Sequence, residues 1–290
     1  MKAVLFAYHD IGCEAIKTLM DLDQDVAAVF THRDDPDENV WFGSVEETAK
    51  SFGIPVFTPD SPNTEKWIRK IKYIAPDLLL SFYYRHLITD DILKIPAMGA
   101  LNLHGSLLPK YRGRAPVNWA LVNGEKETGL TLHHMVARAD AGDIVAQKKI
   151  PIGREDTALT LFRKLVPLTR KILTETVPLL EKGEAPRIPQ NEALATVFKG
   201  RKPEDGRIDW TRDAEEIYNL VRAVTRPYPG AFSFLDGKKV LVWKAQTAEK
   251  QGKPGTILNL NPLTVACGKE ALVLEEIEPQ IKVTTEMKFQ

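Results

Sequence analysis

Apolar residues along this chain fall in short continuous runs separated by stretches with helical spacing. Residues 2–7 (Lys-Ala-Val-Leu-Phe-Ala) are such a run, ended by Tyr8-His9-Asp10, and read as a buried strand. Residues 11–22 place Ile16, Leu19 and Met20 on one helical face. Residues 26–30 and 55–57 are short strands, and 65–74 is a helix. A helix over 44–52 has Ser44 as its cap, with Glu47 three positions on. Residues 77–82 are almost wholly apolar, the mark of a strand covered on both faces. A short helix over 87–93 precedes a strand over 99–104. This alternation predicts an α/β protein with a doubly wound parallel sheet. Beyond it lie a helix over 115–122, with Pro116 in its first turn, and strands over 128–136 and 144–150. A long helix covers 157–180, and Pro167 should kink or divide it.

The pattern changes after residue 183. A polar stretch with Pro186, Pro189 and Pro203 shows no period and reads as a linker over 184–203. A helix over 215–224 follows. Short strands then fall near 231–235, 240–245, 255–258, 263–266 and 271–277, with turn residues such as Asp236-Gly237 between them. That spacing predicts a small β-barrel. The expected organisation is a first domain over 1–183 and a second over 204–290.

Composition narrows the function. Thirty-nine basic residues balance 39 acidic ones, which argues against broad attraction to nucleic acid or an anionic membrane. Cys13 and Cys267 are the only cysteines, so no disulfide framework is implied. No run approaches the ~18 apolar residues of a membrane span. The first apolar run is too short for a secretory signal. A soluble, cytoplasmic protein is expected. The first turn lacks Gly-x-Gly-x-x-Gly and there is no Walker-type loop, which disfavours ordinary dinucleotide binding and nucleotide hydrolysis. The histidines have no metal-ligand spacing, so no metal is expected.

The richest string is Asn102-Leu103-His104-Gly105-Ser106-Leu107-Leu108-Pro109-Lys110-Tyr111-Arg112-Gly113-Arg114-Ala115-Pro116. In a strand, Asn102 and His104 project from one face. Clefts in α/β sheets lie beyond the strands' carboxyl ends. Taken alone, Asn-x-His is more simply a hydrogen-bonded strand end followed by a solvated basic loop. Asp140, in Ala139-Asp140-Ala141-Gly142, reads from its spacing as a turn-forming aspartate.

The whole string, however, closely resembles the signature of the 10-formyltetrahydrofolate-dependent formyltransferases. The resemblance runs from Phe6-Ala7-Tyr8-His9-Asp10 to about Cys267. It implies a Rossmann-like catalytic domain followed by an OB-like one, with 10-formyltetrahydrofolate as co-substrate. It implies a catalytic trio of Asn102, His104 and Asp140. The amide would donate to an oxyanion, the imidazole would move a proton, and the carboxylate would raise the imidazole pKa. It places folate near His86, Leu87, Ile88 and Arg114, and along Val136, Ala137, Arg138, Ala139 and Asp140. Core packing is the plainer account of Leu87 and Ile88, and surface hydrogen bonding of His86. His9, His133 and His134 read as structural or as supports for other side chains.

Within the family, the first turn, Ser81-Phe82-Tyr83-Tyr84-Arg85-His86 and residues 110–114 are similar to the members that formylate UDP-4-amino-4-deoxy-L-arabinose in lipid A modification. Lys110, Tyr111 and Arg112 would then hold the nucleotide-sugar diphosphate, since arginine's fork suits phosphate oxygens. Such members often carry a fused decarboxylase domain; formyl transfer alone is expected here. Methionyl-tRNA formyltransferase is the alternative. Residues 31–43, with four carboxylates against one arginine, would repel the phosphates of a tRNA. A formyltetrahydrofolate hydrolase is a second alternative, and a non-catalytic binding module is disfavoured.

Overall fold

The structure, a computed structural model, describes residues 1–35 and 39–290. Asp37 and Glu38, part of the acidic loop weighed against tRNA, lie outside the described residues. The elements run β1 (Lys2–Ala7), α1 (His9–Asp21), β2 (Asp25–Phe30), α2 (Val45–Ser51), β3 (Val56–Phe57), α3 (Glu65–Ile74), β4 (Leu78–Phe82), α4 (Asp90–Leu93), β5 (Ala100–His104), β6 (Arg112–Gly113), α5 (Pro116–Val122), β7 (Glu127–His134), β8 (Ile144–Pro151) and α6 (Ala158–Glu181). They continue with β9 (Val197–Phe198), α7 (Ala214–Val224), β10 (Ala231–Leu235), β11 (Lys238–Ala248), β12 (Ile257–Leu260), β13 (Leu263–Ala266) and β14 (Ala271–Glu278). The chain forms two compact units, one of residues 1–113, 128–150 and 163–198, the other of 114–127, 151–162 and 199–290.

The α/β expectation holds. The first unit is built on a seven-stranded sheet in the order β3-β2-β1-β4-β5-β7-β8. Strands β1 to β5 pair in parallel, and β7 runs antiparallel to β5. Every residue of β4 is buried, as its unbroken apolar run requires. Phe6 stacks on Phe30 at 4.8 Å within a core cluster that includes Val4, Leu79 and Ile92. The Ser44 hydroxyl accepts the Glu47 N–H at 3.1 Å and caps α2.

Two elements differ from the sequence expectation. The helix expected over 87–93 is only Asp90–Leu93. Asn63 explains the loss. Its side chain donates to the Leu87 carbonyl at 2.8 Å and accepts the Thr89 N–H at 3.0 Å, so those groups are satisfied outside a helix. In contrast, α6 is not divided at Pro167. The missing N–H costs one intrahelical bond. Complete burial of Leu165, Ile172 and Leu173 offsets it.

The loop that leaves β5 is clamped from β7. Thr131 pairs with His104 across the strands. Its hydroxyl donates to the Ser106 carbonyl at 2.6 Å and accepts from the Leu108 N–H at 3.1 Å and Gln147 Nε2 at 2.9 Å. Gln147 also donates to the Leu108 carbonyl at 2.8 Å.

Rings gather where β1, β2 and β4 end. His9 stacks on Phe42 at 3.7 Å, and His32 stacks on Tyr84 at 4.2 Å with its edge to His86 at 4.7 Å. His32 Nε2 accepts the Arg85 N–H at 3.0 Å. Burial, with the Arg85 charge adding to it, pushes the His9 pKa down to about 3.

The second unit carries a five-stranded antiparallel sheet in the order β10-β11-β14-β13-β12. Asp236-Gly237 joins β10 to β11 with both φ angles positive (47° and 76°), the two-residue hairpin that this dipeptide favours. The final residues bridge both sheet edges, Phe289 to Leu235 and Lys288 to Thr256, which gives the sheet its OB-like closure. An Asp213–Glu216 capping box starts α7. No helix among the described residues is long and apolar enough to cross a membrane.

Two measurements check this account. Thr131→Val leaves the buried Ser106 carbonyl and Leu108 N–H without partners. It should lower unfolding free energy by about 1–3 kcal/mol in chemical denaturation, whereas Thr131→Ser should stay near the parent. The second concerns His9, whose folded pKa lies below its unfolded value near 6.5. Its stabilisation is complete above that pH and is lost as pH falls toward about 3. Between those values His9→Asn should lose stability more slowly than the parent, by up to ~1.4 kcal/mol per pH unit. Parallel slopes in urea titrations at pH 7, 6, 5 and 4 would refute it.

Candidate active site

Strand β5 ends with Asn102 and His104 on one face, and the structure brings Asp140 to them. Asp140 Oδ1 lies 3.5 Å from His104 Nδ1 and 3.5 Å from His133 Nε2. Its Oδ2 accepts the Gly113 N–H at 2.9 Å. The aspartate has φ +55°, so it forms a turn and also aims its carboxylate at the imidazoles. Two residues on, a Cβ on Gly142 would sit 2.0 Å from the His134 carbonyl oxygen. Only glycine lets the loop close there, and that closure carries Asp140 back toward β5.

His104 is buried. Its Nε2 is 2.8 Å from the Tyr111 carbonyl. A carbonyl can only accept, so Nε2 carries the proton and Nδ1 is the basic nitrogen of the neutral ring. The carboxylate acts on the His104 pKa in the expected direction, and burial acts against it. Asp140 does push the value up, but desolvation is larger and the net direction is down. For Asp140, burial pushes upward, and it is outweighed by the His104 imidazole, His133 and the Gly113 N–H. The carboxyl is held well below the usual carboxylate range. Asp140 Oδ1 therefore lies beside an imidazole nitrogen, His104 Nδ1, that can take up or release a proton.

His133 completes the cluster. It is the direct cross-strand partner of Asn102, with Asn102 Nδ2 3.2 Å from its Nε2, and its Nδ1 is 2.9 Å from the His134 carbonyl.

The basic loop departs from expectation. Arg112 is only 1% exposed. Its guanidinium donates to Gln190 Oε1 at 2.8 and 3.2 Å and to both Glu192 oxygens at 2.6 and 3.0 Å. With its donors spent on the protein's own side chains, Arg112 does not present a fork to a diphosphate; it braces the loop. Tyr111 is buried too, stacked on Phe198 at 5.0 Å, with its N–H donated to Thr196 Oγ1 at 2.8 Å. Of these three expected contacts, Lys110 is the exposed one.

Gln190 ties the loops together. Its Nε2 donates to the carbonyls of Asp140 at 2.8 Å and Gly142 at 2.7 Å while its Oε1 takes Arg112. Strand β9 pairs in parallel with β6. Residues 190–198, which lie in the stretch read as a linker, thus hold both site loops.

The residues expected to line the folate divide. Leu87 is 77% and Val136 46% exposed, so both are open to a ligand. Ile88 is buried in the core cluster, as packing predicts. His86 is half-buried against His32. Ala137, Arg138 and Ala139 are exposed, with Arg138 Nη1 2.9 Å from Glu192. Arg114, also exposed, belongs to the second unit, where its stem runs beside Gly200. Sequence reasoning left His133 as structural or as a support for other side chains and gave Gln190 and Thr196 no part in the site. The alternation over 128–136 puts His133 on one strand face, but its pairing with Asn102 is a matter of strand register. Among the described residues, no group of histidine, cysteine and carboxylate side chains is placed to hold a metal ion.

Comparison with known proteins identifies the family and the fold. The profile of the family described as formyl transferase matches residues 5–177, and that of the formyl transferase C-terminal domain matches residues 201–289. Among solved structures, the fold is similar to WlaRD, a sugar 3N-formyl transferase crystallised in the presence of dTDP and 5-N-formyl-THF. The TM-score is 0.74 at 17% identity, covering 97% of this chain and 99% of that one. It is also similar to the N-formyltransferase from Helicobacter canadensis in complex with folinic acid and dTDP-3-aminofucose, with TM-score 0.70, 18% identity, and 94% and 99% coverage. A variant of HypX from Aquifex aeolicus matches with TM-score 0.67 and 21% identity over 96% of this chain. The chain spans 44% of HypX. With profiles over both its parts, the chain belongs to the formyl transferase family.

Proposed function

We propose that the protein transfers the formyl group of 10-formyltetrahydrofolate to the amine of a nucleotide-linked amino sugar, UDP-4-amino-4-deoxy-L-arabinose by the resemblance of its turns and loops. The observation that carries the reading is the convergence of Asn102, His104 and Asp140 from two separate segments (distances above). The solved structures similar to this one include sugar N-formyltransferases crystallised with a formylated folate and a dTDP ligand, which supports both substrate classes. Uridine and arabinose rest on the sequence resemblance.

The chemistry follows from the groups. A neutral amine attacks the formyl carbon, its C–N bond forms, and the carbonyl oxygen gains charge. The Asn102 amide N–H meets that oxyanion. The attacking nitrogen loses a proton, which His104 receives at Nδ1. Asp140, already ionised, stabilises the imidazolium that results. Collapse breaks the bond to folate N10, and the proton returns to that nitrogen. Exposed Leu87 and Val136 supply the apolar wall for the pterin, and exposed Lys110 is the candidate for the diphosphate. The first unit carries the chemistry in this reading.

Folate turnover measured with and without UDP-4-amino-4-deoxy-L-arabinose separates the alternatives. Amine-dependent release of tetrahydrofolate is expected. Amine-independent release would make the protein a hydrolase, and formylation of methionyl-tRNA instead of the sugar would replace the acceptor. His104→Ala and Asp140→Asn should each lower kcat by about 10²–10⁴-fold, with folate affinity little changed by calorimetry. Near-parental kcat in either variant would remove its assigned role.

A further inference from the structure

We propose that His133 is a positioning residue: it fixes which way the Asn102 side-chain amide faces. The proposal rests on the reading that this amide serves the oxyanion. An asparagine amide has two orientations related by a half-turn, and only one offers N–H to the reacting oxygen. Something must choose between them, and His133 is placed to do so.

Asn102 and His133 stand directly opposite each other in the β5–β7 pair. Such pairs hold their Cβ atoms within about 4.5–5.5 Å. The His133 side chain is buried, so no water competes freely for its nitrogens. Its Nδ1 lies 2.9 Å from the His134 carbonyl, which can only accept, so Nδ1 bears the hydrogen. In the neutral ring Nε2 is then an acceptor. The Asn102 atom 3.2 Å away must be a donor, which is the amide nitrogen. Reversing the amide would set its oxygen against the ring lone pair. Asp140 Oδ1, which has the Gly113 N–H on its other oxygen, lies 3.5 Å from Nε2 and would take a hydrogen placed there; the amide nitrogen at 3.2 Å is the nearer partner, and the tautomer measurement below decides between the two. The amide nitrogen has two hydrogens. One is held by His133, and the second is left for the oxyanion. His133 thereby orients the donor at no cost to its supply.

The test compares His133→Met, which keeps bulk but removes the acceptor, with His133→Gln, whose carbonyl oxygen can take the amide hydrogen. The methionine variant should lose at least tenfold in kcat while KM for both substrates stays within about twofold, since loss of an oxyanion donor costs about 10²–10³-fold. The glutamine variant should recover most of that loss. Parental kcat in His133→Met, or equal loss in both variants, would overturn the proposal. Asn102→Ala is the control. If it too keeps parental kcat, the reading of Asn102 has failed and the proposal falls with it. If it loses rate while His133→Met does not, only the proposal falls. Nitrogen-15 spectra of the unmodified protein supply a readout independent of folding of the variants. The His133 ring should be the Nδ1–H tautomer; finding the Nε2–H tautomer would overturn the assignment.

Discussion

The site depends on one buried carboxylate. Asp140 is largely removed from water, and an isolated charge in that position would be neutralised by taking up a proton. Its Oδ2 receives a backbone N–H, Oδ1 lies 3.5 Å from a nitrogen of each of two imidazoles, and the carboxyl is held well below the usual carboxylate range. Those partners come from the end of β5, from the loop after it and from β7. The charge therefore fixes where those pieces of chain meet. It also explains the backbone. A residue such as Tyr111 in the left-handed region costs on the order of 1–3 kcal/mol, yet Tyr111 adopts φ +60° with its carbonyl on His104 and its ring on Phe198.

A second layer holds the first. Gln190 bonds the carbonyls of the Asp140 loop and receives Arg112, and Arg112 in turn grips Glu192. A buried guanidinium needs its donors satisfied, and here each partner that satisfies it belongs to a segment that also shapes the site. The clamp at Thr131 does the same on the opposite side of the loop, using one hydroxyl as donor and acceptor at once. Rigidity around Asn102 and His104 is therefore built from polar contacts between loops, set on a sheet whose own stability comes from apolar packing.

Much of this was legible in the sequence. The strands of the first sheet could be read because each is a short apolar run, and β4 buries every residue as such a run must. The Asp236-Gly237 turn and the Ser44 cap followed from residues whose local preference is strong. Asn102 and His104 could be placed together because a strand's period of two is independent of its surroundings. The resemblance of the string they open brought in Asp140, which spacing alone left as a turn residue, and it is both.

What the sequence determined by itself, then, is whatever depends on a residue and its near neighbours: strand and helix periods, turns, caps and the pairing of faces. The tertiary structure decided the rest, because those outcomes depend on distance through space. It turned Arg112 from a surface cation into an internal brace, by supplying Glu192 and Gln190. It lowered the His104 pKa where a nearby carboxylate alone would have raised it, since burial acts on the whole ring. It gave residues 190–198 their work, because hydrogen bonds from a loop to other loops leave no period to read. And it set His133 against Asn102, since the register of two strands joined by more than twenty residues is settled only when both sit in the sheet.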